Sequence, residues 1–448
     1  MALKGLDIFK MLPKEHANCK ECGFPTCMAF AMKVAAGGAE ITKCPHVSAD
    51  VLEKLSESTA PPMKSLSVKL GDSEGKLGGE TVLFRHEKTF VSKTLYAFSL
   101  CASYGDAEVD DTISTSTAVD YHRIGERMYA EFVNVYSDED DAKFVALAIK
   151  AAALNRGVIL TTSNVELAAK ALSEIKAAQP ILNGANASNY EAFSKLAVEN
   201  NCLLGVGGET LDELYETVEK LEKLGNKNLI LNVGTKDIKS AFEFAVQIRR
   251  AALLNNDRTF GYPTIVDVAA LAWGNETLQA ALAALFTVKY GSIVILQKMD
   301  YAKALPLYGL RQNLYTDPQK PMRQEVGIYP FNKGDENSPC FITVDFALTY
   351  FVVSGELERS GVPCNLLISD AGGYSVLTSW AAGKFSASTI AKYVTEQVEP
   401  KIKNRTLVLP GKVAVLKGEL QDKLPGWDII VGPNEAVALV KFAKELVA

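Results

Sequence analysis

The chain has 448 residues, of which 48% are hydrophobic and 22% charged, a composition typical of a folded globular protein and not of a disordered or fibrous one. Lys and Arg number 47 against 53 Asp and Glu, which gives a net charge of -6 and makes nucleic-acid binding unexpected. No apolar run approaches the roughly 20 residues of a membrane-spanning helix. Asp7, Lys10 and Pro13 interrupt the N-terminal segment, so no export signal is predicted and a cytoplasmic location is expected.

Half of the eight cysteines lie close together near the N-terminus. Within 26 residues the chain has the pattern C-x2-C-x4-C-x16-C, formed by Cys19, Cys22, Cys27 and Cys44. A cytosolic setting disfavours disulfides, so metal binding is the favoured interpretation. Three cysteines in one loop, with a fourth after a helix-like stretch, favour a 4Fe-4S cluster over zinc, although unliganded thiols stay possible.

The surrounding segment supports a metal-dependent small domain. Residues 1–57 are too few to bury much core without help, and a bound metal would supply the missing stability. His46, two residues after Cys44, could substitute as a ligand. Residues 58–80 follow, rich in Gly, Pro and Ser, and predict a linker.

After this linker, apolar strand-like runs alternate with amphipathic helix-like segments. The eight runs are residues 81–85, 130–136, 157–162, 180–184, 201–207, 228–234, 263–268 and 291–297. Ser137, followed by acidic residues, is a plausible N-cap of one intervening helix. Eight βα units over residues 81–313 predict a closed (β/α)8 TIM-type barrel, with an open doubly wound sheet as the alternative.

Several predicted strands end in a polar side chain. In a barrel these residues would lie at the mouth, where active sites are built. They would either face a ligand or be polar only because the mouth is exposed to solvent. They are Arg85, Asn134, Thr161, Asn183, Asn232, Asp267 and Gln297. The nearby GVGGET is not a G-x-G-x-x-G motif and is discounted as a dinucleotide site.

Residues 314–340, again rich in Pro, Gly and charge, predict a second linker, and residues 341–448 predict a small α/β domain. Residues 412–418 are predicted to be one of its strands. Two strands run into Gly372-Gly373 and Gly432-Pro433, and each turn opens a helix. Backbone N–H groups at such turns would receive a nucleotide-like or amide-bearing ligand, unless the turns are only structural.

Taken together, the chain resembles the large (gamma-type) subunit of the corrinoid iron-sulfur protein in the acetyl-CoA decarbonylase/synthase system. The resemblance covers the whole chain and is most specific in NCKECGFPTCMAF, KCPH, ETVLFRHEKTF and ISDAGGYSVLTSW. It implies a small N-terminal iron-sulfur domain, a central barrel, and a C-terminal flavodoxin-like (Rossmann-like) cobalamin domain. It also implies that the four clustered cysteines ligate a 4Fe-4S cluster.

The resemblance further implies which residues contact the cobalamin, while the chemistry itself takes place at cobalt rather than at a catalytic side chain. The implied contacts are Thr343, Thr349, Gly372, Gly373, Tyr374, Ser375, Thr378, Gly432, Pro433 and Asn434. The four other cysteines are interpreted as small core residues.

By the same resemblance, the function is that of a methyl carrier in the reductive acetyl-CoA (Wood-Ljungdahl) pathway. Cobalt(I) would take a methyl group from methyltetrahydrofolate through a separate methyltransferase and deliver it to acetyl-CoA synthase. The cluster would return oxidised cobalt(II) to the active state with electrons from a low-potential donor. A smaller subunit would complete a heterodimer.

The histidine count bears on how a corrinoid would bind. All four histidines lie within the first 122 residues, so residues 341–448 contain no histidine and no D-x-H-x-x-G motif. No histidine of that domain can therefore be a cobalt ligand, unless one reaches over from the barrel. The resemblance implies a base-off corrinoid without a protein histidine ligand. Two alternatives are a barrel that is itself a pterin-dependent methyltransferase, using Asn134, Asn183, Asn232 and Asp267, and a simple iron-sulfur electron carrier.

Overall fold

The computed structural model describes residues 5–35, 39, 41–48, 51–52, 61–137, 141–317 and 320–448. The chain forms two compact units, one made of residues 1–120 and 129–315 and the other of residues 121–128 and 316–448. Residues 138–140, the acidic turn predicted after Ser137, lie outside the described residues, as do 58–60 and 318–319 of the two predicted linkers.

The cysteine-rich segment folds around two short helices, α1 (Gly5–Met11) and α2 (Cys27–Ala35). Two 3-10 turns, Lys14–His16 and Ile41–Lys43, complete its described structure. The helices pack closely because Gly5 has no side chain: a Cβ there would lie 2.4 Å from Met32 Sδ. The small core beneath them is built from Ile8, Leu12, Phe30, Ala31, Val34, Ile41 and Val47.

The predicted linker over residues 58–80 is wrong for most of its length. The structure has an antiparallel hairpin there, β1 (Ser65–Leu70) and β2 (Ser73–Gly78). Leu66, Val68 and Leu70 alternate with polar residues, and their side chains join the core cluster that contains the barrel strands. Period-two alternation outweighs the Gly- and Ser-rich composition because it gives the hairpin an apolar face to bury.

The predicted eight-stranded parallel barrel is confirmed. Its strands are β3 (Leu95–Cys101), β6 (Phe132–Tyr136), β7 (Gly157–Thr161), β8 (Ile181–Ala185), β9 (Leu204–Val206), β10 (Leu229–Asn232), β11 (Thr264–Asp267) and β12 (Ile293–Leu296). They close in the order β10-β11-β12-β3-β6-β7-β8-β9. The helices that follow them are α3 (Asp106–Ala118), α4 (Asp141–Ala152), α5 (Val165–Ile175), α6 (Tyr190–Glu199), α7 (Leu211–Lys223), α8 (Ile238–Leu254), α9 (Val268–Leu271), α10 (Glu276–Val288) and α11 (Tyr301–Leu314).

One of the eight predicted strands is misplaced. Residues 81–85 are not a strand, and the first barrel strand is β3, in which all seven residues are buried. In the loop that replaces the predicted strand, Leu83 is buried but Phe84 is exposed. Arg85 is therefore not a strand-end residue; its guanidinium donates to the backbone oxygens of Asn313 and Leu314.

The C-terminal unit is an open five-stranded sheet with helices on both faces. Its strands are β13 (Gly327–Phe331), β14 (Cys340–Val344), β15 (Cys364–Ser369), β16 (Thr406–Leu409) and β17 (Asp428–Val431), in the order β13-β15-β14-β16-β17. Its helices are α12 (Ala347–Ser360), α13 (Val376–Ala381), α14 (Ala387–Tyr393), α15 (Lys417–Lys423) and α16 (Leu439–Leu446). Only β13 is antiparallel to its neighbour.

Two predictions in this region are wrong. Most of the second predicted linker, residues 314–340, belongs to the folded unit, because β13 lies within it and pairs along its whole length with β15. The predicted strand at residues 412–418 is instead a 3-10 turn, Gly411–Leu416, leading into α15. Its buried residues Val413 and Leu416 are three apart, the spacing of a 3-10 turn, so the apolar pattern is satisfied without a strand.

Alternation along the sheet builds two cores. Ile342 and Val344 join the cluster that contains α14 and α15, whereas Phe341 joins the cluster that contains α12 and α16. In chain order the parallel strands are arranged 2-1-3-4, which is a doubly wound sheet with its switch point between β14 and β16.

A hairpin encoded within the barrel segment also belongs to the C-terminal unit. It is formed by β4 (Asp120–Arg123) and β5 (Glu126–Tyr129), and residues 121–128 are assigned to this unit. The Arg123 guanidinium lies 4.7 Å from the centre of the Phe351 ring on α12, which is within cation–π range.

Candidate functional site

A cavity of about 330 Å³ lies at the carboxyl ends of the C-terminal sheet. Its walls come from β14, β16, the first turns of α12 and α13, and the segment after β17. In doubly wound sheets, ligands bind in the crevice at the switch point beyond the carboxyl ends of the strands. The cavity occupies that place, because β14 and β16 are the strands on either side of the switch point.

A single buried hydroxyl group in this cavity has no hydrogen-bond partner. Thr343, near the end of β14, is only 2% exposed, and its Oγ1 bonds to no described residue. An unpaired buried hydroxyl costs about 1–3 kcal/mol. Since Thr343 is among the residues that line the cavity, a bound ligand could supply the missing partner.

Six of the ten predicted cofactor contacts line the cavity: Thr343, Thr349, Ser375, Gly432, Pro433 and Asn434. The other four lie in the adjoining turn and helix and are not part of its wall: Gly372, Gly373, Tyr374 and Thr378.

The first of the two predicted donor turns does not present its N–H groups to the cavity. Gly372 donates its N–H to Asp370 Oδ1 and Gly373 donates to Asp345 Oδ1, each at 3.0 Å. Ser375 is the N-cap of α13, with its Oγ 2.9 Å from Thr378 Oγ1. The N–H groups of the turn are therefore used within the protein, and Ser375, two residues after Gly373, is the residue that lines the cavity.

Sequence reasoning missed two kinds of lining residue. Leu348, Val352 and Leu377 are apolar yet largely exposed at the cavity. Lys412 is the one cationic side chain among the described lining residues, and its Nζ lies 3.0 Å from Glu435 Oε1. The signal for the apolar residues was available, since they fall in the first turns of two helices that start beside the sheet edge. Lys412 was hidden because its segment was predicted to be a strand.

The four clustered cysteines differ from the rest in exposure. Cys19 is exposed and the other three are partly buried, packing against the small core of α1 and α2. Cys27 is tied to the loop by two bonds to Asn18: its N–H donates to Asn18 Oδ1 at 2.8 Å, and Asn18 N–H donates to its Sγ at 3.1 Å. None of the four thiols is fully buried, and thiolates are the ligands that soft metals and iron-sulfur clusters prefer.

The other four cysteines are buried, as predicted for core residues. Burial raises the pKa of Cys202 and of Cys364 to about 11 and that of Cys340 to about 12. Thiols that resist ionisation are poor metal ligands, because the thiolate is the binding form.

His46, the possible substitute ligand, is engaged elsewhere. Its Nε2 lies 2.9 Å from Glu21 Oε2, and its ring stacks on His16 with the ring centres 3.9 Å apart. The potential ligand atoms of Cys19, Glu21 and His46 nevertheless lie within 4.8 Å of one another. His122, the histidine of the C-terminal unit, is exposed and does not line the cavity.

The barrel mouth holds a second, wider cavity of about 940 Å³. A row of polar side chains crosses the strand ends of the barrel, and we call it the amide ladder: Ser99, Asn134, Thr161, Asn183 and Asn232. The last three line this cavity. The bonds between successive members are 2.6–3.2 Å long. Gly234 N–H closes the ladder by donating to Asn232 Oδ1 at 2.9 Å.

The remaining strand-end residues of the barrel also have partners. Gln297 Oε1 accepts from Gly274 N–H at 2.7 Å. Asp267 Oδ1 accepts from Ala270 N–H at 2.9 Å and caps α9. Burial raises the pKa of Asp267 to about 6.

Comparison with known proteins places this arrangement in a family. A family model for the CO dehydrogenase/acetyl-CoA synthase delta subunit matches residues 67–443, and one described as "Putative Fe-S cluster" matches residues 12–46. The corrinoid/iron-sulfur protein large subunit of Moorella thermoacetica is 40% identical over 447 residues, 99% of this chain and 99% of that protein. The chain belongs to the corrinoid/iron-sulfur large-subunit family.

Archaeal relatives agree with the family assignment. The acetyl-CoA decarbonylase/synthase complex subunit gamma of Methanopyrus kandleri is 33% identical over 460 residues, 99% of this chain and 98% of that protein. Although the larger family model is named for a delta subunit, these full-length matches to large and gamma subunits include the cysteine segment that the model leaves out.

Among solved structures, a dihydropteroate synthase from Thermus thermophilus is similar with a TM-score of 0.39 and 14% identity, covering 56% of this chain and 100% of that chain.

No helix in the described part of the chain is both long and apolar enough to cross a membrane.

Proposed function

We propose that this chain is a methyl carrier of the reductive acetyl-CoA pathway. In this proposal the C-terminal cavity binds a corrinoid, and Cys19, Cys22, Cys27 and Cys44 ligate a 4Fe-4S cluster. The chain would receive a methyl group from methyltetrahydrofolate through a methyltransferase and pass it to acetyl-CoA synthase. The observation that carries the proposal is the unpaired Thr343 hydroxyl in a switch-point cavity of a chain that belongs to the corrinoid/iron-sulfur family.

The cavity has the chemistry that the nucleotide tail of a corrinoid requires. Its apolar walls suit an aromatic base, and the hydroxyls of Thr343 and Ser375 offer hydrogen bonds to polar edges. Lys412 would attract the tail phosphate, with Glu435 as its partner when no ligand is bound. Thr349, Gly432, Pro433 and Asn434 would complete the wall, whereas the other four predicted contacts would act only through the neighbouring turn.

The bound corrinoid would supply a cobalt ion that accepts and releases a methyl group, and the cluster would supply single electrons that restore oxidised cobalt. The C-terminal flavodoxin-like unit would hold the corrinoid base-off. No histidine lines the described cavity, so the cavity would offer the cobalt no imidazole ligand. Leu348, Val352 and Leu377, exposed beside the cavity, would shield the corrin from water.

The cysteine segment would bind the cluster near the protein surface. Exposed Cys19 and the partly buried Cys22, Cys27 and Cys44 allow electron exchange with a low-potential donor. The Asn18 N–H that donates to Cys27 Sγ would stabilise negative charge on that sulfur. The family suggests three further partners: a smaller subunit that forms a heterodimer with this chain, the methyltransferase, and acetyl-CoA synthase. The proteins would meet in the cytoplasm.

The first test is metal analysis with an anaerobic ultraviolet-visible spectrum of the purified chain, alone and with the small subunit. About one cobalt and about four irons per chain, together with a corrin band, are expected. Iron without cobalt, even after incubation with a corrinoid, would contradict the carrier function and favour the electron carrier. Zinc in place of iron would overturn the cluster assignment.

A second test separates the cluster from the corrinoid. Cys22→Ala should lose nearly all iron but keep cobalt and still transfer methyl groups after chemical reduction, without recovering once the cobalt is oxidised. Cys202→Ala is the matched control, because its buried thiol should leave the iron content unchanged. Equal loss of methyl transfer with and without chemical reduction would make the cluster structural instead.

The alternative of a pterin-dependent methyltransferase barrel has less support. Three of its four proposed pterin-binding residues are members of the amide ladder and already bond to one another or to their neighbours. Methyl transfer from methyltetrahydrofolate to free cobalamin by the purified chain, without a partner, would establish it.

A further inference from the structure

The carboxylate of Asp345 organises the turn that follows the neighbouring strand. Asp345 directly follows β14 and is fully buried. Its Oδ1 accepts two backbone hydrogen bonds, from Ala371 N–H and from Gly373 N–H, each 3.0 Å long. Its own backbone is fixed as well, since Asp345 N–H donates to Ser369 O. The residue directly after β14 therefore joins the end of β15 and the turn beyond it.

Arg323 holds this carboxylate from the other side. The Arg323 Nε lies 2.5 Å from Asp345 Oδ2, and its Nη2 lies 2.6 Å from Asp370 Oδ1. The same Asp370 oxygen accepts the N–H of Gly372 at 3.0 Å. Three consecutive N–H groups, at residues 371–373, are thus bound by two carboxylates that share one guanidinium.

Successive backbone N–H groups in a turn are a common anion-binding arrangement. Gly372 and Gly373 both have positive φ, +73° and +77°. A Cβ on Gly373 would lie 2.8 Å from Arg323 Cγ, so the arginine stem packs against the turn. Here the protein itself supplies the anions: Asp345 accepts from residues 371 and 373, and Asp370 accepts from residue 372.

We propose that Asp345, held by Arg323, is a positioning residue that fixes the Ala371–Gly373 turn and thereby sets the Ser375 hydroxyl at the cavity wall before the ligand arrives. The ligand is the corrinoid tail, so this inference rests on the proposed function. The phosphate of the tail is not received by this turn, because its three donors are already occupied.

Preorganisation explains why such a clamp would matter. Ser375 is the N-cap of α13, two residues after the turn, so any change in the turn moves both the hydroxyl and the first helical turn. Ordering these groups in advance removes an entropic cost from binding. Loosening the clamp should weaken corrinoid binding without removing any group that touches the corrinoid.

The clamp can be tested without a cofactor, by hydrogen exchange on the full-length chain. Asp345→Asn and Arg323→Gln should raise the exchange rates of the Ala371 and Gly373 amides at least tenfold, while the amides of β15 stay protected and report that the sheet is folded. Arg323→Lys should restore part of the protection. Glu336→Gln, which breaks the exposed Lys403–Glu336 pair, is the matched control and should change neither amide.

The effect on binding is then measured by titrating the same cofactor-free variants with hydroxocobalamin and following the corrin band. Asp345→Asn should bind about tenfold more weakly than the wild type, and Glu336→Gln equally well. Unchanged exchange in Asp345→Asn, or faster exchange with unchanged affinity, would overturn the positioning role. If the wild type binds no corrinoid while the exchange result holds, the proposed function fails and the turn clamp stands as a structural device.

Discussion

The barrel mouth and the C-terminal cavity both lie at the carboxyl ends of parallel strands. They differ in whether their polar side chains have hydrogen-bond partners within the protein. In the mouth, the members of the amide ladder bond to one another across the strand ends. In the cavity, the Thr343 hydroxyl is buried with no partner among the described residues. The ladder residues at the barrel mouth therefore satisfy their hydrogen bonds within the protein, whereas the C-terminal cavity leaves one buried hydroxyl unsatisfied.

This difference shows that polar residues at strand ends do not by themselves mark a binding site. The ladder residues satisfy one another, so they stabilise the barrel whether or not anything binds. An unpaired buried group is instead a cost that only a ligand or a water molecule can remove. Substitutions should then have opposite effects on stability in the two regions.

The largest effect is expected in the ladder. Asn134→Ala removes the partner of both Ser99 Oγ and Thr161 Oγ1, so the free energy of unfolding should fall by about 3 kcal/mol. Denaturant unfolding measures the loss, and cobalt content should stay unchanged. Asn255→Ala, at the exposed end of α8, is the control and should lie within about 0.5 kcal/mol of the wild type.

A loss of cobalt in Asn134→Ala at undiminished stability would reverse the comparison. The barrel mouth would then be the region that binds the cofactor.

A smaller effect with a defined pH dependence is expected at Asp267, also in the barrel mouth. Burial raises the pKa of Asp267 from its ordinary value of 3.8 to about 6. Between these two pH values the folded protein therefore binds more protons than the unfolded chain. The free energy of unfolding should therefore fall as pH rises through about 4 to 6. Asp267→Asn removes this dependence and should stabilise the protein above pH 6 by about 2 kcal/mol.

Unfolding measured between pH 4 and 8 checks this prediction, with little difference from the wild type expected at the acid end. Asp237→Asn is the contrasting control, because hydrogen bonds from Ser240 lower the pKa of that exposed N-cap carboxylate. Its replacement should not stabilise the protein at neutral pH. If Asp267→Asn were destabilising at pH 8, the hydrogen bond from Ala270 N–H would outweigh the cost of burying the charged carboxylate.

The smallest effect, and the sharpest contrast with the ladder, is expected at Thr343. Thr343→Val keeps the shape but removes the unpaired hydroxyl, so the cofactor-free protein should be unchanged or more stable by about 1 kcal/mol. Corrinoid affinity should fall about fivefold to tenfold, since one hydrogen bond to the ligand is lost. Thr406→Val, at the amino end of the same sheet, should leave the affinity unchanged.

A destabilised Thr343→Val that binds corrinoid normally would remove the distinction between the two regions. The hydroxyl would then be a structural group like those of the ladder.

Local patterns predicted most of the barrel because buried parallel strands are continuous apolar runs. The first strand was misplaced because 81–85 and 95–101 both carry such a run, and only tertiary packing decides between Leu83 and the fully buried β3. In the β1–β2 hairpin, the Gly- and Ser-rich composition predicted a linker, whereas the alternation of apolar and polar residues indicated a strand. The 3-10 turn at Gly411–Leu416 could not be told from a strand, because its apolar spacing suits both.

The sequence predicts the candidate site at the sheet edge, where the structure has a cavity, since turns after parallel strands must gather there. Which groups face the cavity was not predictable, because hydrogen bonds formed across the fold decide it. Asp345 is adjacent in sequence to no residue of the turn that it binds. The cluster ligands stay a prediction from spacing and resemblance, supported by the accessibility of Cys19 and its neighbours.

The hairpin of residues 121–128 has a consequence for synthesis on the ribosome. A two-stranded hairpin is marginally stable by itself, and the rest of its unit begins only at Thr316. Roughly 190 residues separate the two in the chain, so at ~5–20 residues per second the hairpin waits on the order of 10 s or longer for its partners. The other seven barrel strands, β6 to β12, are translated during that delay, and a fragment that starts at residue 316 would lack a piece of its own fold.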